Sequence, residues 1–338
     1  MIDSDLSVNV SANCYVVPVA GTYSFRTTKG NSSTSVGSVS SAEVLWESFG
    51  TSTAPSKGDI IKSVSYSGGN ITFSTPATLK SGNAVIAAKD ASGNILWSWH
   101  IWVCNGYSPS SSAQTYKNSA GTMMDRNLGA TSATPGNVGA LGLLYQWGRK
   151  DPFLGSSEIS NSTQAESTLS WPSTVSSSSS NGTIAYATAH PTTFITKNSS
   201  NYDWYYTGSI STDNTRWQSS KTIYDPCPPG WRVPDGGSGV WSKAANTSSR
   251  FSHTWNSTNK GMNFSGKFGS AGTIWYPAAG YLSLGGGGLG SVGSSGNWWS
   301  CTPNDYYAYY LYLSSTGSVF PSAYYSRAIG LSVRCLQE

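Results

Sequence analysis

Aromatic side chains beside amides and carboxylates are the most distinctive chemical pattern in this sequence. Asn297-Trp298-Trp299 and Asn304-Asp305-Tyr306-Tyr307 lie a few residues apart, and Trp275-Tyr276 and Tyr324-Tyr325 lie in the same half of the chain. Flat rings stack on the C–H faces of sugars, while amides and carboxylates form hydrogen bonds with sugar hydroxyls. The pattern therefore predicts a glycan-binding site with candidate ligand contacts at Asn297, Trp298, Trp299, Asn304, Asp305, Tyr306, Tyr307 and Tyr324. Because side chains on a strand alternate between two faces, some of these residues are expected in the core instead.

Catalysis would require other residues, and the sequence contains few of them. There are 16 carboxylates and 3 histidines in the chain. Candidates for a glycosidase pair are Asp203, Asp225 and Asp305, two of which would have to lie about 5 to 10 Å apart across a cleft. We expect no catalytic residues and no enzyme, and the alternative is a secreted carbohydrate-active enzyme.

Metal ligands are also scarce. His100, His190 and His253 have no carboxylate or cysteine at ligand spacing. Asn304-Asp305 resembles the calcium ligands of some lectins, but the Glu-Pro-Asn type of motif that would complete the site is missing. The sequence therefore predicts no metal and no cofactor.

Composition limits the class of protein and of partner. The chain has 338 residues, a net charge of +4 and 13% aromatic residues. Such a chain has enough large apolar side chains for folded cores. At about 150 residues per domain two domains are expected, and three domains or one large β domain are the alternatives. Basic residues are scattered singly, which argues against nucleic acid as a partner. No apolar stretch approaches the roughly 20 residues of a transmembrane helix.

The first third of the chain reads as short strands joined by glycine-containing turns. In the clearest one, Ile95, Trp97 and Trp99 share one face while Ser98 and His100 share the other. Seven strands are predicted, at Tyr15 to Val17, Thr22 to Phe25, Ala42 to Trp46, Ile60 to Tyr66, Ile71 to Ser74, Ala84 to Lys89 and Asn94 to Val103. Their number and spacing indicate an all-β immunoglobulin-like sandwich over residues 1–106.

The pattern changes after this region. From Asn105 to Ala120 the chain turns to Ser, Asn, Gly and Pro, and residues 107–120 are predicted to form a linker. Apolar residues at helical spacing predict one helix at Val138 to Gly148 and a shorter one around Val240 and Trp241. Residues 156–222 are polar and are expected to form long loops.

Six ordered motifs resemble a known family. They are MDRNLGAT at 124–131, LYQWGRKDPF at 144–153, YDPCPPGWRVP at 224–234, YPAAGY at 276–281, WWS at 298–300 and SVRC at 332–335. Together they resemble the Fibrobacter succinogenes major paralogous domain over about 215 residues. The first hundred residues resemble, less specifically, the module that precedes this domain in fimbrillin-like proteins of Bacteroidetes.

This resemblance implies a fold for residues 121–338. The family is similar to C-type lectins and to sulfatase-modifying factors, so an α+β C-type-lectin-like domain with long loops is expected. The lectin-like plan also implies a disulfide between Cys227 and Cys335, with two reduced, buried thiols as the alternative. Cys104 and Cys301 could bridge the two domains or remain free, as Cys14 would. An oxidase resembling the modifying factors would need a second thiol near Cys301, which the spacing does not supply.

The resemblance and the aromatic pattern together predict a non-enzymatic function. We expect a cell-surface or fimbrial-tip adhesin that binds a glycan or a host surface protein, with other pilus subunits as further partners. A purely structural pilus or envelope subunit is a second alternative. The first residues lack the features of a signal peptide. Either the protein is cytosolic or its signal is absent from this sequence, and the extracellular, outer-membrane-anchored or fimbrial location that we expect implies the second.

Overall fold

The computed structural model describes residues 4–210, 213–245, 253–265 and 273–338. The fold is dominated by β-sheet, with 36% strand and 5% helix. Strands rather than helices therefore supply most of the regular structure. Within the described ranges, no helix has the length and apolar character needed to cross a membrane.

The elements follow one another along the chain in short segments. The strands of the first 123 residues are β1 (Ser4–Asp5), β2 (Cys14–Val17), β3 (Thr22–Arg26), β4 (Ser41–Ser48), β5 (Ser63–Ser67), β6 (Asn70–Ser74), β7 (Gly82–Lys89), β8 (Ile95–Val103), β9 (Gln114–Tyr116) and β10 (Gly121–Met123). The middle of the chain contains β11 (Leu144–Gln146), β12 (Val175–Ser176), α1 (Ile184–Ala189), β13 (Ile195–Thr196), β14 (Trp231–Arg232) and α2 (Val240–Ala245). The remaining strands are β15 (His253–Asn256), β16 (Gly261–Ser265), β17 (Thr273–Pro277), β18 (Tyr281–Leu282), β19 (Leu289–Gly290), β20 (Ser295–Asn304), β21 (Tyr307–Ser314), β22 (Val319–Ser326), β23 (Gly330–Ser332) and β24 (Leu336–Gln337).

Two four-stranded sheets form the N-terminal part. Their strand orders are β1-β3-β6-β5 and β2-β8-β7-β4. Side chains from both sheets share one buried cluster, in which the rings of Phe25 and Trp99 lie 5.1 Å apart. Each of the seven strands predicted from the sequence is present, with boundaries shifted by a few residues, and β1 adds an eighth.

Strand β8 is buried on both of its faces. Trp97 and Trp99 lie in the cluster between the two sheets, whereas Trp102 packs against later segments of the chain. The Trp102 indole N–H donates to the Ala130 carbonyl at 3.1 Å, and the Ser98 hydroxyl donates to Asp151 Oδ1 at 2.6 Å. The polar face of this strand is therefore an interior contact surface, although alternation alone would place it in solvent.

The segment predicted as a linker is partly structured. Residues 114–116 form β9, which pairs with β10, and Tyr116 is buried. Tyr107 is also buried, with its ring 5.1 Å from that of Trp102. The predicted linker therefore contains a strand and two buried tyrosine rings.

The predicted helix at Val138 to Gly148 is wrong. Only a 3₁₀ turn forms, at Val138–Ala140, and the chain then enters β11, which pairs with β23. Gly142 and Gly148 have φ of +71° and +79°, and a Cβ at Gly142 would lie 2.8 Å from the Leu128 carbonyl oxygen. Glycines in the left-handed conformation interrupt a helix. The segment therefore forms a strand although its apolar residues have helical spacing. The predicted second helix is confirmed as α2.

A seven-stranded sheet organises the C-terminal part. Its order is β19-β18-β23-β20-β21-β22, and β11 pairs with β23. β20 is antiparallel to β21 and parallel to β23, and β22 is the last strand in the order. A separate four-stranded sheet has the order β14-β24-β10-β9 and brings together strands that are far apart in the sequence. Strand β20 is thus flanked by strands on both sides.

The structure joins Cys227 and Cys335 in a disulfide, the pairing that the resemblance implies. Both residues are fully buried, and 108 residues separate them along the chain. Cys14, Cys104 and Cys301 are free and buried, so no bridge links Cys104 to Cys301.

Removing the disulfide is expected to destabilise the protein. A bond that closes a loop of this length restricts the unfolded chain, so Cys227→Ala/Cys335→Ala should lower the free energy of unfolding in urea by about 4 kcal/mol. Cys14→Ala, which removes a buried thiol without a bond, is the control and should cost less. Equal stability of the double variant and the parent under oxidising conditions would contradict the prediction.

His100 is buried on the polar face of β8, and its surroundings oppose its protonation. Its Nε2 lies 2.8 Å from Asn83 Oδ1, and Asn83 Nδ2 donates to the Gly129 carbonyl. The amide oxygen therefore faces the imidazole, and Nε2 is the nitrogen that carries the proton. Nδ1 has no hydrogen-bond partner in the described part of the chain. Burial lowers the pKa of His100 from 6.5 to about 3.

Acid should therefore weaken the fold through this residue. Between pH 6.5 and about 3 the unfolded chain binds a proton that the native His100 does not, so stability is lost as pH falls through this range. The free energy of unfolding of the parent minus that of His100→Gln, plotted against pH over this range, should rise with a slope approaching about 1.4 kcal/mol per pH unit. Urea unfolding at a series of pH values measures it. Parallel pH profiles for the two proteins would refute the assignment.

Candidate functional site

An open groove of about 690 Å³ lies on one face of the C-terminal seven-stranded sheet, beside the β18–β19 hairpin. Its wall combines aromatic rings with serine and threonine side chains. We call it the tyrosine groove and define it by five residues, which are Tyr281, Asn297, Tyr310, Tyr312 and Tyr325.

Strand alternation on β21 directs the tyrosines into the groove. Leu311 and Leu313 are fully buried in a core cluster on one face of the sheet. Tyr310 and Tyr312 therefore lie on the other face, where Tyr312 pairs across the strands with Asn297 of β20. The rings of Tyr310 and Tyr312 are 6.4 Å apart and nearly perpendicular, at 82°. The groove consequently offers ring surfaces in two orientations.

Asn297 places a fixed hydrogen-bond acceptor in this wall. The side chain is 4% exposed, and its Nδ2 donates to the Gly280 carbonyl at 3.1 Å and to Ser295 Oγ at 3.4 Å. Because a carbonyl oxygen can only accept, the amide nitrogen must face Gly280. No described group donates to Asn297 Oδ1, so this oxygen is left as an acceptor on a residue that lines the groove.

The wall of the groove carries no charge. None of its lining residues is Asp, Glu, Lys, Arg or His. Burial, together with the nearby Tyr312 and Tyr325, raises the pKa of Tyr310 to about 12, so its hydroxyl stays protonated at neutral pH. The groove can therefore donate and accept hydrogen bonds and offer ring faces.

Trp298 and Trp299, both predicted as ligand contacts, lie in the core. Each is fully buried. The Trp298 indole N–H donates to Asn127 Oδ1 at 2.7 Å, and that of Trp299 donates to the Tyr145 carbonyl at 2.8 Å. Since neither ring has a free face, neither can stack on a ligand, and the structure gives both a packing role. The two rings point to opposite faces of β20, and both are buried because both faces of this strand are covered.

The other predicted contacts lie away from the groove. Asn304, Asp305 and Tyr306 are at the turn between β20 and β21, where Asp305 has a φ of +48° and Tyr306 is 44% exposed. Tyr307 and Tyr324 lie on the opposite face of the sheet, with rings 5.7 Å apart. Asn297 is therefore the one predicted contact that lines the groove.

The candidate carboxylates occupy three different environments, none of them in the groove. Asp203 is buried, forms an ion pair with Arg216 and lies 3.6 Å from Arg327. Asp225 is fully buried, which raises its pKa to about 6, and accepts hydrogen bonds from the backbone N–H groups of Cys227 and Val233 at 2.9 Å. Asp305 is exposed.

Cys301 is likewise enclosed. Its thiol is buried, and burial raises its pKa. The sulfur lies 3.6 Å from Asp235 Oδ1. Among the described residues, no three His, Cys, Asp or Glu side chains are grouped so that they could hold a metal ion.

Sequence reasoning missed most of the tyrosines that form the groove. Tyr310-Leu311-Tyr312-Leu313 does carry an alternating signal. Tyr281 belongs to a short hairpin, and Tyr325 reaches the groove through the pairing of β22 with β21. These contacts depend on which strands become neighbours, and sequence spacing does not contain that information.

Trp298 and Trp299 should affect stability much more than Tyr324 does. Truncating a fully buried indole leaves a cavity, so Trp298→Ala and Trp299→Ala should each lower the free energy of unfolding by about 3 to 5 kcal/mol. Tyr324→Ala removes an exposed ring and should change it by about 0.5 kcal/mol or less. Urea unfolding compares the three variants. Full stability of either tryptophan variant would contradict the packing role.

The tyrosine groove thus combines four rings, an oriented amide oxygen and an uncharged lining on a β-sheet scaffold. No family model matches the sequence, and comparisons with curated proteins and with solved structures found no match. The chemistry of the groove is therefore the observation that bears most directly on function.

Proposed function

We propose that the protein is a cell-surface or fimbrial-tip adhesin that binds a glycan through the tyrosine groove. The observation that carries the proposal is the arrangement of tyrosine rings around the Asn297 Oδ1 acceptor in an uncharged wall. Sugars present apolar C–H faces and hydroxyls within one small unit, so their recognition needs ring surfaces and polar atoms side by side.

The size of the groove agrees with such a ligand. Its volume of about 690 Å³ falls within the range of about 300 to 1,000 Å³ found for small-molecule sites. The serines at its rim, among them Ser294 and Ser315, supply hydroxyls that can both donate and accept. A short stretch of glycan could therefore place rings and hydroxyls against matching groups at the same time.

We further propose that the chain consists of an immunoglobulin-like module over residues 1–106 and a C-type-lectin-like domain of the major paralogous type over residues 121–338. The two facing four-stranded sheets support the first assignment. The Cys227–Cys335 disulfide and helix α2 support the second. Motif residues such as Trp231 and Val233 are buried, which fits a role in that fold rather than in binding.

A structural pilus or envelope subunit is the main competing function. The complete burial of Trp298 and Trp299 agrees with it. However, the open groove is lined by partly exposed tyrosines, whose rings and hydroxyls a ligand can contact. Tyrosine side chains, with an apolar ring and a polar hydroxyl, are enriched in contact surfaces. The groove therefore favours the adhesin.

A glycan array tests this proposal with matched variants. Tyr312→Ala removes a ring from the groove, whereas Tyr324→Ala removes a ring from the opposite face of the same sheet. The parent protein should bind at least one glycan, and Tyr312→Ala should weaken that binding about tenfold or more through lost stacking and burial. Tyr324→Ala should bind like the parent.

Circular dichroism and thermal unfolding show whether each variant is folded. Absence of binding to any glycan by the parent would contradict the proposal. Equal binding by the parent and a folded Tyr312→Ala would remove the groove as the site. Binding of host surface proteins after their glycans are stripped would identify a protein ligand instead.

A further inference from the structure

We infer that the tyrosine groove binds the interior of an extended, uncharged glycan chain, with Phe320 carrying part of the chain beyond the groove. The inference rests on the proposed glycan-binding function and specifies the ligand class. It follows from the cross-strand geometry of the sheet and from the charge of the groove wall.

One row of side chains runs from the groove to the edge of the sheet. Asn297 on β20 pairs with Tyr312 on β21, and Tyr312 pairs with Phe320 on β22. Directly paired residues lie on the same face. Neighbouring strands are about 4.8 Å apart, so the row spans about 10 Å from the amide to the outer ring. This length exceeds that of a single sugar ring.

The outer end of the row is open. Phe320 is 55% exposed, and its ring lies 5.9 Å from that of Tyr312 at an angle of only 22°. Tyr325, which also lines the groove, is 46% exposed. β22 is the last strand of this sheet in the described part of the chain, so no further described strand continues the row beyond Phe320 and closes it. A pocket for a terminal sugar would close around the end of its ligand, whereas this surface lets a chain continue.

The inner end of the row selects against acidic sugars. Asn297 Oδ1 accepts hydrogen bonds, and its amide hydrogens are already engaged by Gly280 and Ser295. A ligand hydroxyl can donate to this oxygen, but a carboxylate or sulfate would meet another acceptor. The groove also lacks a lysine or arginine to compensate a buried negative charge, which is costly to desolvate unpaired.

Oligosaccharide ladders test the inference. The probes are cello-, xylo-, manno- and galacto-oligosaccharides of one to six sugars, together with oligogalacturonates as the acidic counterpart of the galactose series. Calorimetry with the parent protein should show affinity for at least one neutral series that rises about tenfold or more between one and four sugars and then levels off. Oligogalacturonates should bind more weakly than galacto-oligosaccharides of equal length or not at all.

Phe320→Ala and Tyr324→Ala form a matched pair, because both remove an exposed ring from β22 but from opposite faces. Phe320→Ala should abolish the gain from the longer chains while retaining the binding of the shortest ones. Tyr324→Ala should retain the full dependence on length. Reduction of the terminal sugar of a bound hexasaccharide to its alditol should leave affinity unchanged.

The outcomes separate this inference from the function on which it rests. Binding that is independent of chain length, or a length dependence that folded Phe320→Ala preserves, overturns the extended-chain assignment while leaving glycan binding intact. Preference for oligogalacturonates overturns the assignment of an uncharged ligand. Absence of binding to every neutral and acidic series counts against the proposed function itself.

Discussion

Two adjacent indole rings hold strand β20 from opposite sides. Trp298 donates its N–H to the Asn127 side chain, and Trp299 donates to the backbone of Tyr145. Neighbouring residues of a strand point to opposite faces, so these two hydrogen bonds fix the strand between two different parts of the chain. If β20 shifted, a buried indole N–H would lose its hydrogen-bond acceptor, which costs free energy. Other placements of the strand are therefore unfavourable.

This anchoring explains how the groove can be open and still well defined. Asn297 immediately precedes the two tryptophans, and its amide is oriented by Gly280 and Ser295. The pairing of β20 with β21 then places Tyr312 beside it. Rigid strands thus supply both the acceptor and the adjacent ring surface, whereas a site on loops would have to order its residues when ligand binds.

The N-terminal sheets use the same principle. Strand β8 has Trp97 on one face and Trp102 on the other, and the second indole donates across to Ala130. Further contacts, such as the two hydrogen bonds from Asn13 Nδ2 to the carbonyls of Ile223 and Asp225, connect residues far apart in sequence. Tryptophans in this chain therefore serve mainly to join layers, and half-exposed tyrosines line the groove.

This division of roles also shows what the sequence could and could not predict. Regular alternation and glycine turns identified the strands of the first hundred residues, because that signal is local. Alternation could not reveal that both faces of β20 are covered, so Trp298 was expected to be accessible. At Val138 to Gly148 the apolar spacing was helical, but Gly142 and Gly148 in left-handed conformations turned the chain into β11. The groove is lined by residues of β18, β20, β21 and β22, and the order of these strands in the sheet is long-range information.

A crystal structure of the protein with a bound neutral tetrasaccharide tests the central claim most directly. The account predicts sugar density along the row from Asn297 to Phe320, with a hydroxyl within hydrogen-bond distance of Asn297 Oδ1 and a ring face against Tyr312. Density on the opposite face of the sheet, over Tyr307 and Tyr324, with an empty groove would contradict it.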